Sequence, residues 1–304
     1  MVRPRGKLIT SLRVCLLLQV FAFGAAHAAA GGHPLPMWRV NGASNSVFLL
    51  GSIHMLRQQD YPLPSAIYDA YNEAETLIME IDMDDIDPFA EQALAAELGL
   101  IQDGRSLRDL MGTRLYAQAE SMAEKLQIPL ELLENSEPWF AAINVEVLML
   151  LRNGFDPTHG VESHLAEMAV RDHKEIIGFE TTRQQLQYLD NLSPASQRDM
   201  LIQTLADSLK INELMDQMVD AWYHGDTDFL ERNMLSEMQE FDELYDAIVV
   251  NRNRDWTKQI ESLLNKKDDY LIVVGAMHLI GKEGVPELLS RSGHKVTQMR
   301  QPGD

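Results

Sequence analysis

FLLGSIHML, residues 48–56, opens as an apolar run suited to a buried strand, turns at Gly51-Ser52 and then presents one histidine, His54. Near the other end of the chain YLIVVGAMHLIG, residues 270–281, repeats the arrangement: apolar strand, glycine, two residues, then His278. Each copy is followed by a helical stretch and a further strand, TLIMEID (76–82) after the first and HKVTQM (294–299) after the second. Glycine at a strand end permits a tight turn or the close approach of another backbone or a ligand. The carboxyl edge of an open α/β sheet is also where ligands bind. One G-x-x-H is more often structural than functional, but two in matching contexts aim both histidines into one crevice.

Working outward, Met37 to Gly51 reads as a hairpin turning at Asn41-Gly42. Pro64 to Glu75 suits a helix with proline in its first turn. KEIIGFET (174–181) reads as a third strand, preceded by the helix-like VESHLAEMAVRD (161–172). The spacing predicts an α/β fold: a central sheet formed by N- and C-terminal strand–GxxH–helix–strand units, with a largely helical insertion at about residues 88–153 and 183–265. Nothing in that helical middle resembles a linker, so residues 29–304 read as a single domain.

The first 28 residues read as a secretory signal peptide: a basic start (Arg3, Arg5, Lys7, Arg13), a short apolar run from Val14 to Phe23, and the small-x-small site Ala26-His27-Ala28. The run is too short to span a bilayer, which takes about 20 apolar residues. The mature protein is therefore expected outside the cytoplasm without a stable membrane anchor, and in the periplasm if the source is Gram-negative. Cleavage removes four positive charges and no negative one, moving the formal charge from −20 to −24. So acidic a body argues against nucleic acid as a partner and leaves a peptide or small molecule as the expected substrate. The only cysteine, Cys15, leaves with the leader, so the mature chain has neither disulfide nor thiol nucleophile.

Acids that could join the histidines end the intervening strands. Glu80 follows Leu77-Ile78-Met79, and a carboxylate in such company is costly unless paired or bound to a cation. Glu180 repeats the case, with a helix cap or salt bridge as its plain alternative, while Asp82, Asp84, Asp85 and Asp87 read as a solvated loop. Histidines and carboxylates from several strand ends can hold a divalent metal with a position open for water, and the metal makes that water a nucleophile near neutral pH. A histidine general base oriented by a glutamate would use the same residues without metal. The residues alone leave both chemistries open.

GSIHML with YPLP and LIMEID, then GVESHLAEMA with EIIGFETTRQQL, NRNRDWTKQI, and finally YLIVVGAMHLIGKEGVPELL resemble the TraB/GumN family across nearly the whole mature chain. That family includes the Tiki-type membrane metalloproteases and is distantly similar to erythromycin esterases and ChaN-like proteins. The resemblance implies a centre built on His54 and His278, with glutamates at the positions of Glu80, Glu162 and Glu180 and an Arg-Asn pair at Arg252-Asn253. Another pair, Arg232-Asn233, lacks the following Trp256 and Ile260 spacing and is set aside. His159 and His164 lie outside the shared pattern, and His173, His224 and His294 sit in polar, surface-like contexts. The expected function is thus a secreted hydrolase, peptidase-like and metal-dependent (manganese, cobalt or zinc). His54, His278, Glu80 and Glu180 would be its ligands, and Glu80, Glu162, Glu180, Arg252 and Asn253 its catalytic groups. A metal-free histidine esterase and a non-enzymatic periplasmic binding or assembly factor are the alternatives.

Overall fold

In the computed structural model, which describes residues 32–302, the two motif-bearing strands lie side by side at the centre of a six-stranded sheet ordered β4-β3-β5-β2-β1-β6. The leader expected at residues 1–28, with Cys15, lies outside the described residues. Strands β2 (Ser46–Ser52) and β5 (Tyr270–Gly275) are buried at every position, as their uninterrupted apolar runs require of strands covered on both faces. Strand β3 (Thr76–Ile81) pairs in parallel with β5 and with β4 (Glu175–Glu180). Strand β1 (Pro34–Asn41) forms the expected hairpin with β2, and β6 (Val296–Arg300) adds antiparallel to β1. Four parallel strands therefore end at one edge, and His54, Glu80, Glu180 and His278 all lie at or just beyond those ends.

Period-two alternation supplies both faces of the sheet. Met37, Phe48, Leu50, Leu77, Met79, Leu271 and Val273 point to one side. They pack on helices α1 (Ser65–Glu73) and α5 (Val161–Asp172) and on α8 (Ile211–Tyr223), through Ile67, Leu165 and Trp222. Val40, Val47, Leu49, Ile272 and Val274 point to the other, against α9 (Asn251–Leu263) and α10 (Val285–Arg291) through Trp256, Ile260 and Leu289.

Between β3 and β4 the chain inserts α2 (Pro88–Gly99), α3 (Leu107–Lys125) and α4 (Pro138–Arg152) ahead of α5. Between β4 and β5 it inserts α6 (Thr182–Asp190) and α7 (Pro194–Ser208) ahead of α8, then short turns before α9. Helices α3, α4 and α7 share a separate apolar core that includes Leu107, Tyr116, Ala141, Val145, Leu201 and Leu205. No helix among the described residues is long and apolar enough to cross a membrane.

Candidate functional site at the strand ends

The register of β2 on β5 sets Gly51 against Val274 and Ser52 against Gly275, so the two G-x-x-H copies are offset by one residue. Their histidines then diverge. After Gly275 the chain tightens into a 3-10 turn, Ala276–Leu279, that buries His278. After Gly51 it stays irregular and leaves the His54 side chain 65% exposed.

His54 is held by the start of α5. Gly160 packs directly on its backbone, since a Cβ there would fall 2.2 Å from the His54 carbonyl oxygen, and the Val161 N–H donates to Ile53 O at 3.1 Å. Glu162, the second residue of α5, is thereby placed with Oε1 2.6 Å from His54 Nδ1, and the Ser52 hydroxyl donates to the same oxygen. Glu162 Oε2 is buried without a partner among the described residues. The Glu162 charge, working against the crowding protein, raises the His54 pKa to about 10. The open side of the ring lets water screen that pair.

His278 is held by α9. The Asn253 amide nitrogen donates to His278 O at 3.2 Å and Glu283 O at 2.7 Å, so its Oδ1, 2.6 Å from His278 Nδ1, can only accept. His278 Nδ1 therefore carries the proton and Nε2 carries the lone pair, which accepts from Arg252 Nη1 at 3.1 Å. Burial, reinforced by Arg252 and opposed by Glu80, pushes His278 down to about 3, so it is neutral near pH 7.

Arg252 joins the two acids. Its Nη2 lies 2.6 Å from Glu80 Oε2 and 2.9 Å from Glu180 Oε2, and its Nε donates to both Glu180 oxygens at 3.0 and 3.1 Å. Trp256 Nε1 and the Tyr188 hydroxyl complete the Glu180 shell at 3.1 and 3.3 Å. Glu180 is thus committed to Arg252 rather than turned toward the histidines. Glu80 bridges the two halves: Gln185 donates to its Oε2 at 3.0 Å, and the Gly275 N–H donates to its Oε1 at 2.8 Å. Burial penalises the Glu80 carboxylate, but His278, Arg252, His54 and the Gly275 amide outweigh it and hold its pKa well below the usual range. With His278 neutral, the guanidinium is the permanent part of that field.

A Cβ at Gly275 would lie 3.2 Å from His54 Nε2 and 3.3 Å from Glu80 Oε1, so both atoms face one space that only glycine leaves open. His278 Nε2 is 3.8 Å from the same Glu80 oxygen. The donor chemistry suits a divalent cation that displaces the His54 Nε2 proton: one imidazole nitrogen oriented through its other nitrogen by a carboxylate, beside an ionised glutamate. Ready-made spacing for a metal is not present, because no group of three or more His, Cys, Asp or Glu side chains among the described residues is so arranged. His278 could join only by exchanging its contact with Arg252.

With this geometry in place the chain can be set beside known proteins. The TraB/PrgY/gumN family model matches residues 36–298. The chain belongs to that family. The protein YbaP of Escherichia coli (strain K12), described as uncharacterized, is 24% identical over 79% of this chain and 86% of its own length. The YbaP of Shigella flexneri matches to the same extent. An uncharacterized protein of Treponema pallidum (strain Nichols) is 20% identical over 50% of this chain and 45% of its own. No solved structure matches.

All seven residues singled out in the sequence meet at this edge of the sheet. Ser52, Gln185, Tyr188 and Trp256 were missed as partners of those residues. Gln185 carried the only usable signal, standing one turn into the helix that follows Glu180. Glu146 on α4 was also missed. The surrounding protein pushes its carboxyl up and His54 opposes the shift, so this helix stands near the site.

Proposed function

We propose that this protein is a hydrolase of acyl bonds, with peptides as its substrate class, working with a divalent metal at the space over Gly275. The observation that carries the reading is the convergence of His54 Nε2 and Glu80 Oε1 on that space while Glu162 holds the far nitrogen of the His54 ring. Manganese, cobalt or zinc held by His54, Glu80 and His278 would supply a bound water acidic enough to be a nucleophile near neutral pH.

The chain's own groups have separate tasks. Glu162 and Ser52 fix the His54 ring, and Asn253 fixes the His278 tautomer. Arg252 is the fixed positive charge beside Glu80, suited to steadying an oxyanion as the substrate carbonyl is attacked. Glu180 aims that guanidinium and offsets its charge. The helical insertion at residues 88–153, whose Glu146 feels the charge of His54, would select substrates.

One observation favours the metal-free alternative: Arg252 Nη1 already occupies the His278 lone pair. Elemental analysis of the purified protein and hydrolysis of peptide and ester panels, before and after chelation, separate the readings. Bound metal that disappears in the His54→Ala/His278→Ala variant, together with activity lost to chelator and restored by manganese, cobalt or zinc, supports the proposal. Full activity in metal-free protein would move it to the histidine esterase. Absence of any hydrolysis by metal-loaded protein would favour a binding role.

A further inference from the structure

A second pair of histidines lies away from the strand ends, where α8 stops against the start of β1. His33 precedes β1 and His224 follows α8, and their ring centroids are 5.3 Å apart with the planes inclined by 54°. The chain fixes this approach through backbone rather than flexible side chains. Gly225, in the left-handed region at φ +59°, packs so tightly that a Cβ would fall 2.5 Å from the carbonyl carbon and oxygen of Pro34. Any other residue there would push the two histidines apart.

The rings are also fixed in tautomer. His33 Nδ1 lies 2.9 Å from Pro34 O, and His224 Nδ1 lies 2.8 Å from Asp220 O. A carbonyl only accepts, so both Nδ1 atoms carry protons and both Nε2 atoms carry lone pairs. Neither Nε2 has a hydrogen-bond partner among the described residues. An imidazole tied through one nitrogen to a carbonyl and free at the other is the usual state of a metal-binding histidine.

The centroid spacing is compatible with a shared ion. A zinc–nitrogen bond is ~2.0–2.1 Å and the ring centre lies ~1.1 Å behind the nitrogen, so two imidazoles whose Nε2 atoms face one tetrahedral ion put their centroids about 5.2 Å apart. The electrostatics favour a cation as well. His224 lines a recess of about 380 Å³ together with Asp60, Asp216 and Asp220. Arg57, the basic side chain in that wall, is already paired with Asp60 at 3.0 Å and Asp216 at 2.6 Å.

We propose that His33 and His224 form a transition-metal site separate from the strand-end centre, taking Zn²⁺, Ni²⁺ or Cu²⁺ through their two Nε2 atoms with water completing the coordination. Bound there, the ion ties the first strand of the sheet to the end of α8 and stabilises the native chain by mass action.

The test is titration of the full chain with Zn²⁺ and Ni²⁺ by calorimetry, with thermal unfolding read in parallel. His33→Ala and His224→Ala should each weaken one binding event roughly tenfold or more, and remove its thermal shift, without changing hydrolysis. The His54→Ala/His278→Ala variant should keep that event while losing any other. Unchanged binding in the His33→Ala/His224→Ala variant overturns the site. Loss confined to the His54→Ala/His278→Ala variant assigns all binding to the strand-end centre and overturns it equally. Because the readout is binding at named ligands, the strand-end metal reading can fail while this one stands, and the reverse.

Discussion

The two G-x-x-H copies begin alike and finish as opposites. His54 is open to water, tied to a carboxylate and held charged, whereas His278 is sealed among Arg252, Asn253 and Trp256 and held neutral. What separates them lies outside the motif. One meets the first turn of α5, with an acid at its second position; the other meets the first turn of α9, with an arginine and an asparagine. A strand-end motif thus fixes where an imidazole stands, and the helix packed against it fixes what that imidazole can do.

The largest expected effect falls on the shared group between the copies. Arg252→Met leaves Glu80 and Glu180 buried without their cation and should cost about 3–5 kcal/mol of stability, read by denaturant unfolding. Next, His54→Ala should lower hydrolysis about 10²–10³-fold while costing about 1 kcal/mol of stability, because the ring itself is exposed but buried Glu162 is left with Ser52 as its remaining partner. His278→Ala, by contrast, should cost about 2–3 kcal/mol as well as activity, since Asn253 Oδ1 and Arg252 Nη1 lose a buried partner. If the two alanine variants unfold at the same denaturant concentration, the contrast between the copies is wrong.

The histidines should also give opposite pH dependence. A raised His54 pKa means the native state holds a proton that the unfolded chain releases, so its contribution is full below about 6.5 and fades as pH rises toward about 10. A depressed His278 pKa means the unfolded chain takes up a proton that the native state refuses, so stability falls as pH drops from about 6.5 toward 3. Stability-against-pH curves for His54→Gln and His278→Asn should each flatten one limb, and the alkaline change should be the smaller, about 1 kcal/mol or less, because water screens the exposed pair. The smallest effect is expected at Ser52→Ala, about 0.5 kcal/mol for one lost hydrogen bond to a Glu162 oxygen that keeps His54 as a partner.

Much of this centre was readable because its parts obey local rules. Apolar runs long enough to be covered on both faces marked β2 and β5, and acids ending such runs marked Glu80 and Glu180. Arg252 and Asn253 came from resemblance, since nothing local distinguishes them from solvated residues at the start of a helix. The pairing of Glu162 with His54 was illegible because it depends on Gly160 meeting a backbone carbonyl over a hundred residues away in the chain. The one-residue offset of the two motifs was hidden for the same reason: register between strands so distant is set by packing, and no turn records it. Glu180 showed its burial in sequence but not its allegiance, which Arg252, Trp256 and Tyr188 decide from other helices.

The position of β5 has a consequence for how the chain is made. This strand lies between β3 and β2, yet it leaves the ribosome after β1 to β4 and the helices α1 to α9. Until Tyr270 to Gly275 arrives, the two earlier strands have no neighbour to join them and the apolar surfaces meant for both sides of the sheet have nothing to close on. Folding of the centre must therefore await residue 275, and a nascent chain stopped before residue 270 should leave β1 to β3, residues 34–81, open to protease while α3, α4 and α7 can still close their own core.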